Sequence, residues 1–129
     1  MTREKQVDIA VFLLRVVAGF VFMEYGGAKL FGWFGSGMSF GSAGTLMQVA
    51  GVLEFFGGIT MMLGLWVRPI AFVLAGEMAF AYFMGHALQG AWYAPMVNQG
   101  TASVLFCFIF LFFAAFGAGK WTAVRRWQK

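Results

Sequence analysis

Apolar residues run along this chain in four long stretches separated by short polar or glycine-rich segments. A bilayer core about 30 Å thick requires about 20 helical residues to cross it, and none of the stretches shows the alternation of a membrane β-strand. The predicted spans are roughly 8–31, 43–66, 69–88 and 98–118. The pattern therefore predicts an all-α integral membrane four-helix bundle that forms a single domain over residues 1–129.

Residues typical of helix ends flank these stretches. Ser42 and Asn98 are expected to cap the second and fourth spans through their side-chain oxygens. Pro69 suits the first turn of the third span, because its missing N–H would have no helical partner there. Gly117 is expected to end the fourth span.

Composition identifies lipid as the solvent. Charged residues make up only 11% of the chain and hydrophobic residues 61%, whereas soluble domains carry about 25% charged residues. The net charge of +4 does not indicate nucleic-acid binding, because seven of the nine Lys and Arg residues lie at the chain ends and in one short loop. The expected partner is therefore the lipid bilayer and no nucleic acid.

The basic residues also predict the orientation. Seven of them precede the first span, join the second to the third, or follow the fourth: Arg3, Lys5, Arg68, Lys120, Arg125, Arg126 and Lys129. The loops 32–42 and 89–97 contain no charge. Cytoplasmic loops are enriched in Lys and Arg, so both termini are expected in the cytoplasm. The first span is expected to be retained, since no small-residue signal-cleavage site precedes Glu24.

Six acidic or basic side chains in the spans are the candidate ligand-binding or proton-handling residues, because such groups are costly in lipid. They are Arg15, Glu24, Lys29, Glu54, Glu77 and His86. Arg15 and Glu77 lie about 10 and about 12 Å from the cytoplasmic end, and Glu54 about 18 Å. Glu24, His86 and Lys29 lie about 22, about 26 and about 30 Å from it. These depths predict an inner Arg15–Glu77 pair and an outer Glu24–Lys29 pair.

Helical spacing indicates where the side chains point. Glu54 shares a face with Gly51 and Gly58, and such small residues allow close helix contact, so Glu54 is predicted to face the bundle interior. His86 and Glu77 are nine positions apart and lie on nearly opposite sides of a straight helix. They can share a site only if the helix bends or a second subunit covers one of them.

Three carboxylates and two cations leave one acid in excess in the spans. An unpaired carboxylate in the membrane takes up a proton, and Glu54 is the expected one unless Arg15 reaches it. A carboxyl of this kind suits quinone or proton chemistry, and it equally suits a structural hydrogen bond. The alternative interpretation is that Arg15 and Lys29 extend to the interface and that His86 is a hydrogen-bonded interface residue.

Motifs with self-contained chemistry are absent from the sequence. It has no phosphate-loop, dinucleotide, catalytic-triad or metalloprotease motif, so catalytic residues remain unassigned and no cofactor is bound by a motif. The single histidine and single cysteine argue against a metal site. Cys107 is predicted to be a packing residue.

Five segments in order carry a family resemblance: Leu14–Val16, Tyr25–Phe31, Gly51–Gly58, Gly64–Pro69 and Gly76–Ala87. In these segments the chain resembles the bacterial DoxX family. The resemblance implies a four-helix inner-membrane protein. Members are described as oxidoreductases by similarity to a quinone-linked thiosulfate-oxidising subunit, and others are linked to thiol or oxidative-stress membrane complexes.

The leading hypothesis is a membrane subunit of an oxidoreductase complex, with a quinone or another apolar ligand near Glu54, Arg15 and Glu77. Other membrane or redox subunits are required, since nothing in this chain carries electrons. A structural or assembly subunit, a homo-oligomer and a small transporter are the alternatives. The sequence departs from its relatives at Tyr25, where many carry His, and at 98–101, where relatives often have an acid after two glycines.

Overall fold

The computed structural model describes residues 1–41 and 44–124. These residues form five α-helices and no strand: α1 Arg3–Phe31, α2 Thr45–Leu63, α3 Val67–Ala81, α4 Pro95–Asn98 and α5 Thr101–Phe116. Helix α3 continues as a π-helical segment, Tyr82–His86, and a 3-10 turn, Ala87–Gln89, while another 3-10 turn, Trp33–Gly35, follows α1. The all-α prediction is confirmed.

Three helical segments are long and apolar enough to cross a bilayer: α1, α2 and Val67–His86. Helix α5 is apolar but has 16 residues, which is about 24 Å. Large apolar side chains cover the outward surface, for example Phe72 and Phe108, which are 67% and 66% exposed. Because a continuous surface of this kind is stable in lipid and not in water, the chain is an all-α membrane protein.

The predicted helix ends are correct at two positions and wrong at one. Pro69 lies in the first turn of α3 and Gly117 follows the last residue of α5. Asn98 does not cap the fourth span, since it ends α4, and the left-handed backbone of Gln99 separates α4 from α5. The Asn98 side chain instead accepts a hydrogen bond from the Gly100 N–H. Ser42 lies outside the described residues.

Helices α1 and α2 pack closely through glycines, and α3 packs mainly on α5. A Cβ built on Gly19 would lie 2.6 Å from the Gly58 carbonyl oxygen, so the two backbones touch there. The small-residue face predicted around Glu54 therefore does make a helix contact. The side chains that fill the centre come from α1, α2, α3 and α5 and are fully buried, among them Phe22, Met61, Leu74, Phe110 and Phe113.

Arg15 joins three chain segments at one end of the bundle. Its guanidinium donates to the carbonyl oxygens of Met61 at 2.9 Å, Ala118 at 2.6 Å and Trp121 at 2.8 Å. Carbonyls at the end of a helix lack a helical donor, and Arg15 supplies one. The predicted Arg15–Glu77 pair is therefore wrong. Arg15 is 1% exposed, so its guanidinium is enclosed by protein.

Basic residues gather at this same end. Arg68 donates to the Ala115 carbonyl, and Lys120 pairs with Asp8 at 3.4 Å. The start of α1, the α2–α3 turn and the segment after α5 thus lie together, as the charge pattern requires. Arg125, Arg126 and Lys129 lie outside the described residues.

We expect Gly58→Ala to destabilise the protein by about 1–3 kcal/mol, because its Cβ would collide with the backbone of α1. Gly76→Ala on α3 is the matched control, since its Cβ would meet nothing within 4 Å and a helical Gly→Ala change gains about 0.5–1 kcal/mol. Unfolding of the purified protein by titration with a denaturing detergent measures both. Equal stability of Gly58→Ala and the wild type would contradict the close contact.

Candidate functional site

A cavity of about 700 Å³ lies between the α1–α2 pair and the α3–α5 pair. Its walls are mostly apolar and include Phe22, Leu53, Met78, Phe80, Met84 and Phe106. Helices α2 and α3 touch where Gly57 meets Leu74, and the lining residues of α2 lie at 46–54, on the far side of that contact from Arg15. The volume falls within the range of about 300–1,000 Å³ that is usual for small-molecule sites.

The cavity opens between α2 and α3. Several lining side chains are also exposed on the apolar outer surface, with Val49 at 52% on α2 and Phe80 and Met84 at 48% and 55% on the α3 side. That surface faces lipid. Part of the cavity wall is therefore continuous with the apolar outer surface of the bundle.

Lys29 and Glu54 form an ion pair on the cavity wall. Lys29 Nζ lies 2.6 Å from Glu54 Oε1, and the side chains are 17% and 3% exposed. The prediction that Glu54 faces the interior is confirmed. The predicted Glu24–Lys29 pair is wrong, because residues five positions apart on a helix do not face each other. The Lys29 side chain also lies over the Tyr25 ring, at 5.6 Å from its centre, and does not extend outward.

Glu77 completes a group of three ionisable side chains. Its carboxyl lies within hydrogen-bonding reach of the Glu54 carboxyl, and it also lines the cavity. Glu77 Oε1 is buried and has no hydrogen-bond partner among the described residues. Lys29, Glu54 and Glu77, from three different helices, are called the lysine–carboxyl cluster below.

His86 lines the same cavity as Glu77, although the two are nine positions apart. The helix departs from α geometry over Tyr82–His86, where it becomes π-helical, and such segments are frequent at functional sites. The sequence required a departure from a straight α-helix for these two residues to share a site, and the helix departs from α geometry in this segment. His86 Nδ1 lies 3.2 Å from the Asn98 carbonyl oxygen. Because a carbonyl only accepts, Nδ1 carries the hydrogen and Nε2 is left as the other polar atom of the ring.

A second polar network holds the segment 90–100 against the π-helical segment. Buried Asn98 donates to the Tyr82 hydroxyl at 3.0 Å and to the Ala91 carbonyl at 3.2 Å, and the Tyr82 hydroxyl donates to the Trp92 carbonyl. Sequence reasoning missed this network. Its only signal was the presence of two polar side chains in apolar segments, and their pairing depends on a separation of 16 positions.

The remaining candidates lie away from the cavity. Arg15 is at the opposite end of the bundle, and neither it nor Glu24 is among the lining residues. Cys107 is a free thiol packed partly against the core. Within residues 1–41 and 44–124, no group of three or more His, Cys, Asp or Glu side chains is placed to hold a metal ion.

Comparison with known proteins places these features in a family. The DoxX family model matches residues 10–87, more than half of the chain. The chain belongs to the DoxX family. A Haemophilus influenzae protein, named only "Uncharacterized protein", is 38% identical over 120 residues, which cover 90% of this DoxX protein and 89% of the relative. No solved structure matches the chain. The lysine–carboxyl cluster and His86 all lie within the matched DoxX range.

We expect Lys29→Met to destabilise this DoxX protein by roughly 3 kcal/mol, because it leaves Glu54 buried without its cation. The double variant Lys29→Met, Glu54→Met should recover most of that loss, since both charges are then removed. Detergent titration of the purified variants gives the free energies of unfolding.

Lys120→Met is the control for this cycle. Lys120 pairs with Asp8 at 3.4 Å and its side chain is 56% exposed, and exposed pairs contribute about 0–1 kcal/mol. A double variant as unstable as the sum of its single changes would show that Lys29 and Glu54 are not coupled.

Proposed function

We propose that this DoxX-family protein is a membrane subunit of an oxidoreductase complex and that it binds a quinone-type ligand in the cavity between its helix pairs. The observation that supports this most is the combination of apolar walls, a lateral opening toward lipid and a lysine–carboxyl cluster on the wall. An apolar molecule with a polar head group matches all three features.

The chain's own residues bind and orient such a ligand. Phe22, Met78 and Phe106 line the apolar part of the cavity, where they pack on the ring or tail and exclude water. Lys29 and Glu77 supply polar atoms on one part of the wall, and His86 supplies them on another. A bound quinone would supply the redox couple, and the electrons would come from a partner subunit.

The proposed location is the bacterial inner membrane, with both termini in the cytoplasm. The gathering of Arg68 and Lys120 with the start of α1 at one end of the bundle supports this orientation.

A second candidate function is a structural or assembly subunit, as a homo-oligomer or with other membrane proteins. The short helix α5 favours it. Its 16 residues fall several ångströms short of a bilayer core of about 30 Å, and a short span is accommodated by local thinning or by association with other helices.

We expect a short-chain benzoquinone to bind the purified protein in lipid nanodiscs, measured by isothermal titration calorimetry. Ala50→Leu should weaken binding at least about tenfold, because Ala50 lines the cavity and the larger side chain would occupy it. Ala10→Leu is the matched control, since Ala10 is exposed on α1 and does not line the cavity.

Equal binding by Ala50→Leu and the wild type would place the ligand elsewhere. Absence of quinone binding would contradict the proposal. If, in that case, intact-mass measurement after mild extraction showed a stable assembly, the second candidate function would be favoured.

We expect a fluorescent-protein reporter fused after Lys129 to be active in a bacterial host, because such reporters fold in the cytoplasm. Alkaline phosphatase inserted within 89–97 should be active, since it requires the periplasm. The reciprocal fusions serve as controls. Phosphatase activity at the C-terminus would reverse the proposed orientation.

A further inference from the structure

The lysine–carboxyl cluster brings one cation and two carboxyls together in an apolar bundle. Lys29 and Glu54 compensate each other at 2.6 Å. Arg15 is occupied by backbone carbonyls at the other end and supplies no charge here. A second carboxylate beside Glu54 would be a buried negative charge without a cation of its own, which is strongly unfavourable.

A proton between the two carboxyls resolves this imbalance. The Glu54 and Glu77 carboxyls lie within hydrogen-bonding reach of each other, and two carboxyls form such a bond only when one of them is protonated. The other groups facing the cavity do not remove the need for this proton. Gln99 and Ser103 do not ionise, and His86 forms no ion pair with either carboxyl among the described residues.

The arrangement leaves one acceptor unused. When Glu77 donates through one oxygen to Glu54, its other oxygen keeps its lone pairs. No described residue donates to Glu77, and its Oε1 is buried without a partner. Buried polar atoms in proteins are nearly always hydrogen-bonded, so a donor is expected from the contents of the cavity that Glu77 lines.

We propose that the Glu54–Glu77 pair holds one proton and that the free Glu77 oxygen selects an uncharged head group that bears a hydroxyl donor. This inference rests on the proposed function and makes it more specific. Of the two forms of a quinone-type ligand, the hydroquinone carries hydroxyl groups and the quinone only carbonyl groups. The site therefore favours the reduced form.

The test compares a decyl-substituted benzoquinone with its hydroquinone, kept reduced under anaerobic conditions, on the full-length protein in nanodiscs. We expect the hydroquinone to bind about tenfold more tightly, which corresponds to one additional hydrogen bond. Equal affinity for the two forms, or tighter binding of the quinone, would overturn the inference while leaving the proposed function intact. Failure of both forms to bind would overturn both.

Two variants of Glu77 assign the preference to this side chain. Glu77→Gln should retain it, because the amide N–H₂ donates to Glu54 and the amide oxygen remains an acceptor. Glu77→Leu should abolish the preference, since it leaves the Lys29–Glu54 pair balanced but removes the acceptor. Glu24→Leu, a membrane glutamate outside the cavity, should behave as the wild type. A preference that persists in Glu77→Leu would overturn the assignment.

Discussion

Charges buried inside an apolar bundle need compensating partners, and this requirement decides where the ionisable side chains of this protein lie. Each of the two cations in the spans finds a different kind of partner. Arg15 takes backbone carbonyls, whereas Lys29 takes the carboxylate of Glu54. Because Arg15 is held at one end of the bundle and Lys29 is paired with Glu54, no cation remains for Glu77 in the cavity at the other end.

The two ends of the bundle differ in how closely their helices are joined. At the Arg15 end, one guanidinium holds the end of α2 and the segment after α5 against α1, and Gly19 and Gly58 bring two backbones into contact nearby. On the other side of the contact of Gly57 with Leu74, the polar link between α2 and α3 is the Glu54–Glu77 carboxyl pair, and the cavity lies there. The hydrogen-bonded end of the bundle thus holds the helices in position around the cavity at the other end. A binding site needs rigid support of this kind.

The sequence was sufficient for features that depend on periodicity and was insufficient for those that depend on side-chain reach. Apolar runs predicted the helices, and small-residue spacing predicted the interior position of Glu54. Counting residues along a helix estimates the depth of each Cα atom. The charged group of a long side chain lies several ångströms from its Cα atom, so the counting predicted the wrong partners for Arg15 and Lys29. The backbone carbonyls that accept from Arg15 cannot be predicted from the sequence either, because every residue has a carbonyl. Nothing in the pattern indicated the π-helical segment at Tyr82–His86, and His86 lines the same cavity as Glu77.

Two side chains of the cavity wall stand at positions where the resemblance implies ionisable groups in many DoxX proteins. Tyr25 lies beside Lys29 at a position where the resemblance implies His, and Gln99 belongs to the run in which it implies an acid. Both are uncharged here. Glu54 and Glu77 lie instead in the segments that carry the DoxX resemblance. The proposed preference for a hydroxyl-bearing head group therefore depends on side chains from those segments, while Tyr25 and Gln99 shape the surrounding wall without adding a formal charge to it.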